Sequence, residues 1–317
     1  MNTLYFIVQQ TMFFSIPLLV VALGGMFSER SGVVNVALEG IMVIGAFSGI
    51  VVINLFQGVL PGQPILIAAL LTAAAAGVIV SLAHAYASVN MKADQVISGT
   101  AINMFAPAFA ICVARSIYQT QQVPFQNQFH ISKVPFLGDI PVLGDIFFKN
   151  TYITTYIGFA ILIVSAFVLN KTKFGLRLRA CGEHPQAADS VGVNVYKIRY
   201  AGVMISGALG GIGGLIFVIP TSTNFNATVA GYGFLALAVL IFGQWKPQRI
   251  LLAAFFFGLM KTVASAYSVI PLLSTLSIPA EIYKIIPYAA TLIVLAFTSK
   301  NSQAPRAAGV PYDKGSR

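Results

Sequence analysis

Charge is what this sequence has least of. Only 9% of its 317 residues are Asp, Glu, Lys or Arg, while 57% are hydrophobic and the mean hydropathy is +0.83. A chain of this size with so few charges cannot clothe a water-exposed surface, which excludes a soluble domain and leaves an integral membrane protein. Cysteine is almost missing. Cys112 sits in an apolar run and Cys181 in a basic loop, with no CxxC, so neither a disulfide framework nor a zinc site follows. The three histidines, His84, His130 and His184, fall in separate compartments, which argues against a shared metal centre or triad. There is no HExxH, no GxSxG and no phosphate-cradling GxxxxGK[ST], so no catalysis is expected of this chain and ATP has no Walker-type loop to bind. The start, MNTLYFIVQQ, carries neither basic residues nor a small-residue cleavage site, and the first apolar run is expected to be retained.

Long apolar runs are what the chain does have. Nine approach the length of about 20 residues that a bilayer demands: 4–27, 33–56, 64–89, 96–117, 152–169, 200–219, 228–245, 250–270 and 285–298. The expected fold is all-α, a polytopic transmembrane bundle of about 8–10 spans, with lipid around it. Residues 1–298 are expected to form the membrane domain and 299–317 a basic tail expected to be disordered. The net charge of +10 does not imply nucleic acid, because the basic residues gather at segment ends without interleaved aromatics.

The longest polar interval between apolar runs, KTKFGLRLRACGEHPQAADSVGVNVYKIR from Lys171 to Arg199, holds six Lys and Arg against Glu183 and Asp189. Such a loop (170–199 at its widest) is expected on the cytoplasmic side. Alternating spans then place the N-terminus outside and the C-terminus inside, with Arg30, Lys92, Lys246, Arg249 and the tail's Lys300, Arg306, Lys314 and Arg317 also on the inner side. Outside, only Lys133, Lys149 and Lys284 remain. After Pro185, which suits a first helical turn, Gln186–Val191 can form a short helix ended by Gly192.

Split at this loop, the second apolar run of each half is interrupted by glycine: Gly40, Gly45 and Gly49 in one, Gly231, Gly233 and Gly243 in the other. Paired interruptions of this kind predict an inverted repeat about a translocation site, although glycines also simply let helices pack. The longest external interval, 118–151, repeats a Gly-Asp-Ile turn in VPFLGDIPVLGDIFF. A cap, a docking surface and a plain linker are all open readings of it.

Ionisable groups inside a membrane need protein or water around them. Glu39 and Lys261 are such groups, each able to touch substrate or to pair with the other. Asn35, one turn before Glu39, and Asn103, at a similar depth, complete a candidate substrate pathway whose amides and carboxylate suit a nucleoside; polar glue between helices is the ordinary alternative.

The run FGLRLRACGEHPQAADSVGVNVYKIR closely resembles the coupling loop of ATP-binding-cassette import permeases of the branched-chain amino acid, simple sugar and nucleoside superfamily. Gly175, Arg179-Ala180, Gly182, Ala187-Ala188 and Gly192-Val193 match that family's Gly, Arg-Ala, Gly, Ala-Ala and Gly-Ile, with Val193 a conservative departure. The resemblance continues in SGALGGIGGLIF (206–217) and in SERSGVVNVALEGIMVIGAF (28–47), which is most similar to the nucleoside branch. It implies a permease subunit of an ATP-driven importer, for nucleosides or else for a simple sugar such as ribose or a branched-chain amino acid. An ion-coupled secondary transporter using Glu39 and Lys261 is a rival of another class. By resemblance, the partners are an ATP-binding subunit that consumes ATP with Mg, a second homologous permease in a homo- or heterodimer, and an extracytoplasmic substrate-binding lipoprotein. This chain would bind no cofactor itself. The helix around Pro185, Ala187 and Ala188 would seat in the ATPase, Gly175 and Gly192 would permit the flanking turns, and Arg179 and Glu183, beside Ala180, would orient the loop through ion pairs.

Overall fold

The apolar runs fold as helices, as a solvent without hydrogen-bonding groups requires of any backbone that crosses it. The computed structural model describes residues 3–60, 62–141, 144–266 and 303–315, with Pro279, Ile282, Ile285, Ala289 and Leu292 as isolated positions between the last two blocks. The first half comprises α1 (Thr3–Arg30), α2 (Leu38–Phe56), α3 (Gln63–Ala85, prolonged by a π turn over Tyr86–Asn90), α4 (Gln95–Tyr118) and α5 (Ile153–Lys171). The basic loop folds as α6 (Lys173–Glu183) and α7 (Pro185–Ser190), and α8 (Val195–Thr221), α9 (Tyr232–Phe242) and α10 (Pro247–Ala266) follow. Among the described residues, seven of these helices (α1 to α5, α8 and α10) are long and apolar enough to cross a membrane. The bundle is all-α and polytopic, as composition predicts.

One expected span fails. Run 228–245 yields only α9, whose 11 residues reach about 16 Å at 1.5 Å each, half the hydrocarbon thickness. The helix cannot start earlier because Ala227, Ala230 and Gly231 hold left-handed φ values of 57°, 53° and 77°. The expected span 285–298 lies outside the described residues.

Two faces can be told apart. On one, β1 (Val123–Pro124) pairs with β4 (Asn224–Phe225), and β2 (His130–Lys133) with β3 (Lys149–Tyr152). The start of α1 lies there, where Gln9 Nε2 donates to Asp145 O at 2.7 Å. On the other lie α6, α7, the end of α1 and residues 303–315: Arg30 pairs with Glu183, and the Ala307 N–H donates to Gly182 O. Helices α1 and α8 run antiparallel, since a Cβ on Gly24 would meet Ser206 and Leu209 whereas one on Gly202 would meet Ser31 and Phe27.

The inverted repeat is visible in this arrangement. Each half opens with a long helix (α1, α8), breaks (31–37, 222–231), resumes as a second helix (α2, α9), and sends a third across to the first helix of the other half: α3 packs on α8 and α10 on α1. Helix α8 is the hub. On Gly211 a Cβ would collide with Ala73 O, and on Gly214 with Met42 O, so the backbones of α3 and α2 sit directly against it.

The tail departs from expectation. Residues 303–315 are seated on the α7 face, with the Gly309 N–H donating to Gly32 O at 3.3 Å and Tyr312 only 4% exposed. Its basic composition is misleading because its anchors are backbone groups and one aromatic ring.

Gly214→Leu should destabilise the protein by more than about 3 kcal/mol, beyond the usual overpacking range, because the obstacle is backbone rather than a side chain that can rotate. Gly58→Leu, where a Cβ would meet nothing within 4 Å, should be neutral. Thermal unfolding in detergent would distinguish them; equal midpoints would contradict the packing described.

Candidate functional site

The basic loop folds from local signals. Thr172 caps α6, its Oγ1 accepting from the Gly175 N–H at 3.1 Å. Gly175 lies inside α6 and not in a turn; its lack of a side chain lets α6 close on Val168 O and Leu169 O of α5. Gly192 does terminate the next segment, with φ of +83° just after α7. The expected ion pairs are only half present. Glu183 pairs with Arg30 at 3.7 Å, tying α6 to the end of α1, whereas Arg179 Nε donates to Gly175 O of its own helix. Ala180 and Ala187 are exposed, as are Gln186 and Val191, while Pro185 and Ala188 are buried. A partner approaching α7 therefore meets Ala187 and not Ala188, which packs inward with Cys181, Val195 and Tyr312.

The interior candidates serve the helix breaks. Between α1 and α2 the backbone of 31–37 leaves its helical bonds, and side chains replace them. Asn35, fully buried, donates from Nδ2 to Ser206 Oγ at 2.8 Å and accepts the Ala37 N–H at 3.1 Å. Asn103 of α4 accepts the Gly40 N–H at 2.7 Å and donates to Val36 O at 2.8 Å. Gln95 Oε1 accepts the Val34 N–H, and His84 Nε2 stands 3.0 Å from Val34 O. Because a carbonyl only accepts, Nε2 carries the proton and Nδ1 accepts from Ser98 Oγ at 3.1 Å.

Glu39 does the same for the second break. Its two carboxylate oxygens accept the Gly231 N–H at 2.9 Å and the Gly233 N–H at 2.6 Å, capping α9 from 192 residues away in sequence. An anion at a helix N-terminus, bonded to its orphan donors, is a favourable arrangement. Of the two readings of Glu39 and Lys261, the pairing of one with the other is thus absent. Lys261, on α10, makes no ion pair or hydrogen bond among the described residues.

Sequence reasoning did not single out His84, Gln95, Ser206 or Arg199 for this face and its break. A histidine within an apolar run was a readable signal. Arg199 counts among the loop's six cations, yet is 1% exposed.

Among the described residues, seven membrane-length helices, two interrupted segments related by inversion and an amphipathic helical loop on one face define a membrane transport permease. The chain belongs to the family of branched-chain amino acid transport system permease components, which matches residues 7–295. It is the membrane subunit of an ABC transporter, a class in which a separate subunit hydrolyses ATP. It is 46% identical to the guanosine ABC transporter permease protein NupQ of Bacillus subtilis, over 98% of this chain and 97% of that one. It is 43% identical to the nucleoside ABC transporter permease protein NupC of Lactococcus lactis, over 99% and 98%. A second Lactococcus protein, the nucleoside ABC transporter permease protein NupB, is 30% identical over 127 residues, 39% of this chain and 33% of that one. No solved structure matches the chain.

Glu39→Ala should cost about 2–4 kcal/mol, as two charge-assisted bonds to buried backbone donors are lost together, while Lys261→Met leaves stability unchanged. Thermal unfolding of both purified variants checks this; matched losses would restore the ion pair.

Proposed function

We propose that this chain imports nucleosides, paired with a second homologous permease, driven by a cytoplasmic ATPase that uses ATP and Mg and fed by an extracytoplasmic binding lipoprotein. Its N-terminus lies outside and its C-terminus and α7 in the cytoplasm. The observation that carries the substrate is near full-length similarity to two permeases named for guanosine and nucleosides. Similarity to both NupC and NupB, from one organism, supports a heteromeric pair.

In this mechanism the loop from Gly175 through Arg179, Ala180, Gly182, Glu183, Pro185, Ala187 and Ala188 to Gly192 is the coupling element. Helix α7 sits in a groove of the ATPase through its exposed side, with Ala187 small enough to allow close approach. Closure of the ATPase on nucleotide displaces α7, and the two membrane halves rock between outward and inward openings. The moving parts are the breaks at 31–37 and 222–231, where the backbone is held by side chains that can exchange partners. Asn35, Glu39 and Asn103 shape the pathway by holding these breaks rather than by gripping substrate, and Lys261 remains a pathway candidate on α10. An ion-coupled mechanism is disfavoured because both Glu39 oxygens already accept backbone bonds.

Reconstituted with its ATPase and binding protein, the complex should take up labelled guanosine only with ATP, with unlabelled nucleosides competing and ribose and leucine not. Competition by ribose or leucine alone would reassign the substrate. Ala187→Trp should insert normally and lower substrate-stimulated ATP hydrolysis by about tenfold or more, a loss within the usual range of inter-site coupling; unchanged stimulation would remove α7 from the mechanism.

A further inference from the structure

We propose that the C-terminal segment 303–315 is the positioning strut of the coupling step, with Tyr312 seating α7 and the adjoining backbone fixing the α1–α2 break to it. The inference rests on reading α7 as the coupling helix. Helix α7 is too short to hold itself in water and buries only Pro185 and Ala188. Ala188 packs in a cluster with Tyr312 of the tail, Cys181 of α6 and Val195 of α8. The Tyr312 hydroxyl lies near Asp189 of α7, and its ring meets Tyr196 edge-on at 5.5 Å.

From that seat the tail reaches the other connections on this face. The Gln303 N–H donates to Gln244 Oε1 at 2.8 Å, just beyond α9. The Ala307 N–H donates to Gly182 O at 2.8 Å at the end of α6, and the Gly309 N–H to Gly32 O at 3.3 Å in the first break. Arg199 Nη1 donates to Val310 O at 3.0 Å, with its guanidinium 5.9 Å from the centre of the Tyr312 ring. Lys92 pairs with Asp313 at 2.6 Å, but the pair is half exposed and contributes little. A Cβ on Gly182 would collide with Arg30 O and lie 3.3 Å from Pro305 Cβ, so this motif glycine is what lets α1 and the tail both close on α6. One segment thereby joins α7 to the first break and to the end of α9, a contiguous physical route for displacement.

The test uses Tyr312→Ala and Tyr312→Phe in a Cys112→Ser background, each assembled with the ATPase and binding protein. Cys181 serves as reporter: it is fully buried, and burial pushes its thiol up to about 11 against the opposing influence of Arg199, so the parent should resist maleimide at neutral pH. Tyr312→Ala should keep the ATPase bound with parental basal hydrolysis, lose substrate stimulation by about tenfold, and expose Cys181 to alkylation. Tyr312→Phe, which keeps the ring, should behave as the parent. If Tyr312→Ala fails to insert, Tyr312→Leu carries the same test with an apolar plug in place of the ring. Parental stimulation in the Ala or Leu variant overturns the strut, as does loss of the ATPase from the complex, which would make the tail a docking element. A parental complex that nucleosides do not stimulate would instead refute the transport reading itself.

Discussion

Within a bilayer every backbone N–H and C=O must find a partner in the protein, because the solvent offers none. The two places where the described residues interrupt a helix at membrane depth are therefore demanding sites, and several interior polar side chains are committed to them. Asn35, Asn103, Gln95 and His84 bond the backbone of 33–40, and Glu39 bonds the start of α9. Because Glu39 opens the helix that follows the first break and caps the helix that follows the second, the two halves are coupled through one carboxylate. The repeat is thus not merely two similar halves side by side; a carboxylate of the first completes the hydrogen bonding of the second.

Around these breaks the bundle is packed backbone against backbone. The glycines of α8 bring three helices to backbone contact, and Ser206, beside them, bonds Asn35. A core packed at that distance resists gradual deformation and favours switching between discrete arrangements. Helices α4 and α5, by contrast, bury little of their surface within the chain. That asymmetry leaves a wide apolar surface for lipid.

Much of this was legible in the residues, for physical reasons. Length and hydropathy mark each helix that crosses fully, since insertion responds to those quantities. Pro185 and Gly192 bracket α7 because a fixed φ and a left-handed φ are local needs met by particular residue types. What stayed hidden was long range. The partners of Glu39 are backbone groups of Gly231 and Gly233, which no side-chain pattern announces, so sequence leaves the acid between a substrate and a distant lysine. The tail's anchors, Gly182 O and Gly32 O, are equally silent in sequence, and a basic, glycine-bearing segment reads as disordered. Ala188 lies beside Ala187 in the motif, but the helical turn sends one inward and the other out.

The central claim is that the two breaks move when nucleotide acts on α7 while the glycine-packed core does not. Hydrogen–deuterium exchange of the reconstituted complex, with and without ATP, tests it most directly. The account predicts nucleotide-dependent exchange at amides of 31–37 and 227–233, with 203–217 protected in both states. Breaks that exchange identically in the two states, or a core that opens with them, would contradict it.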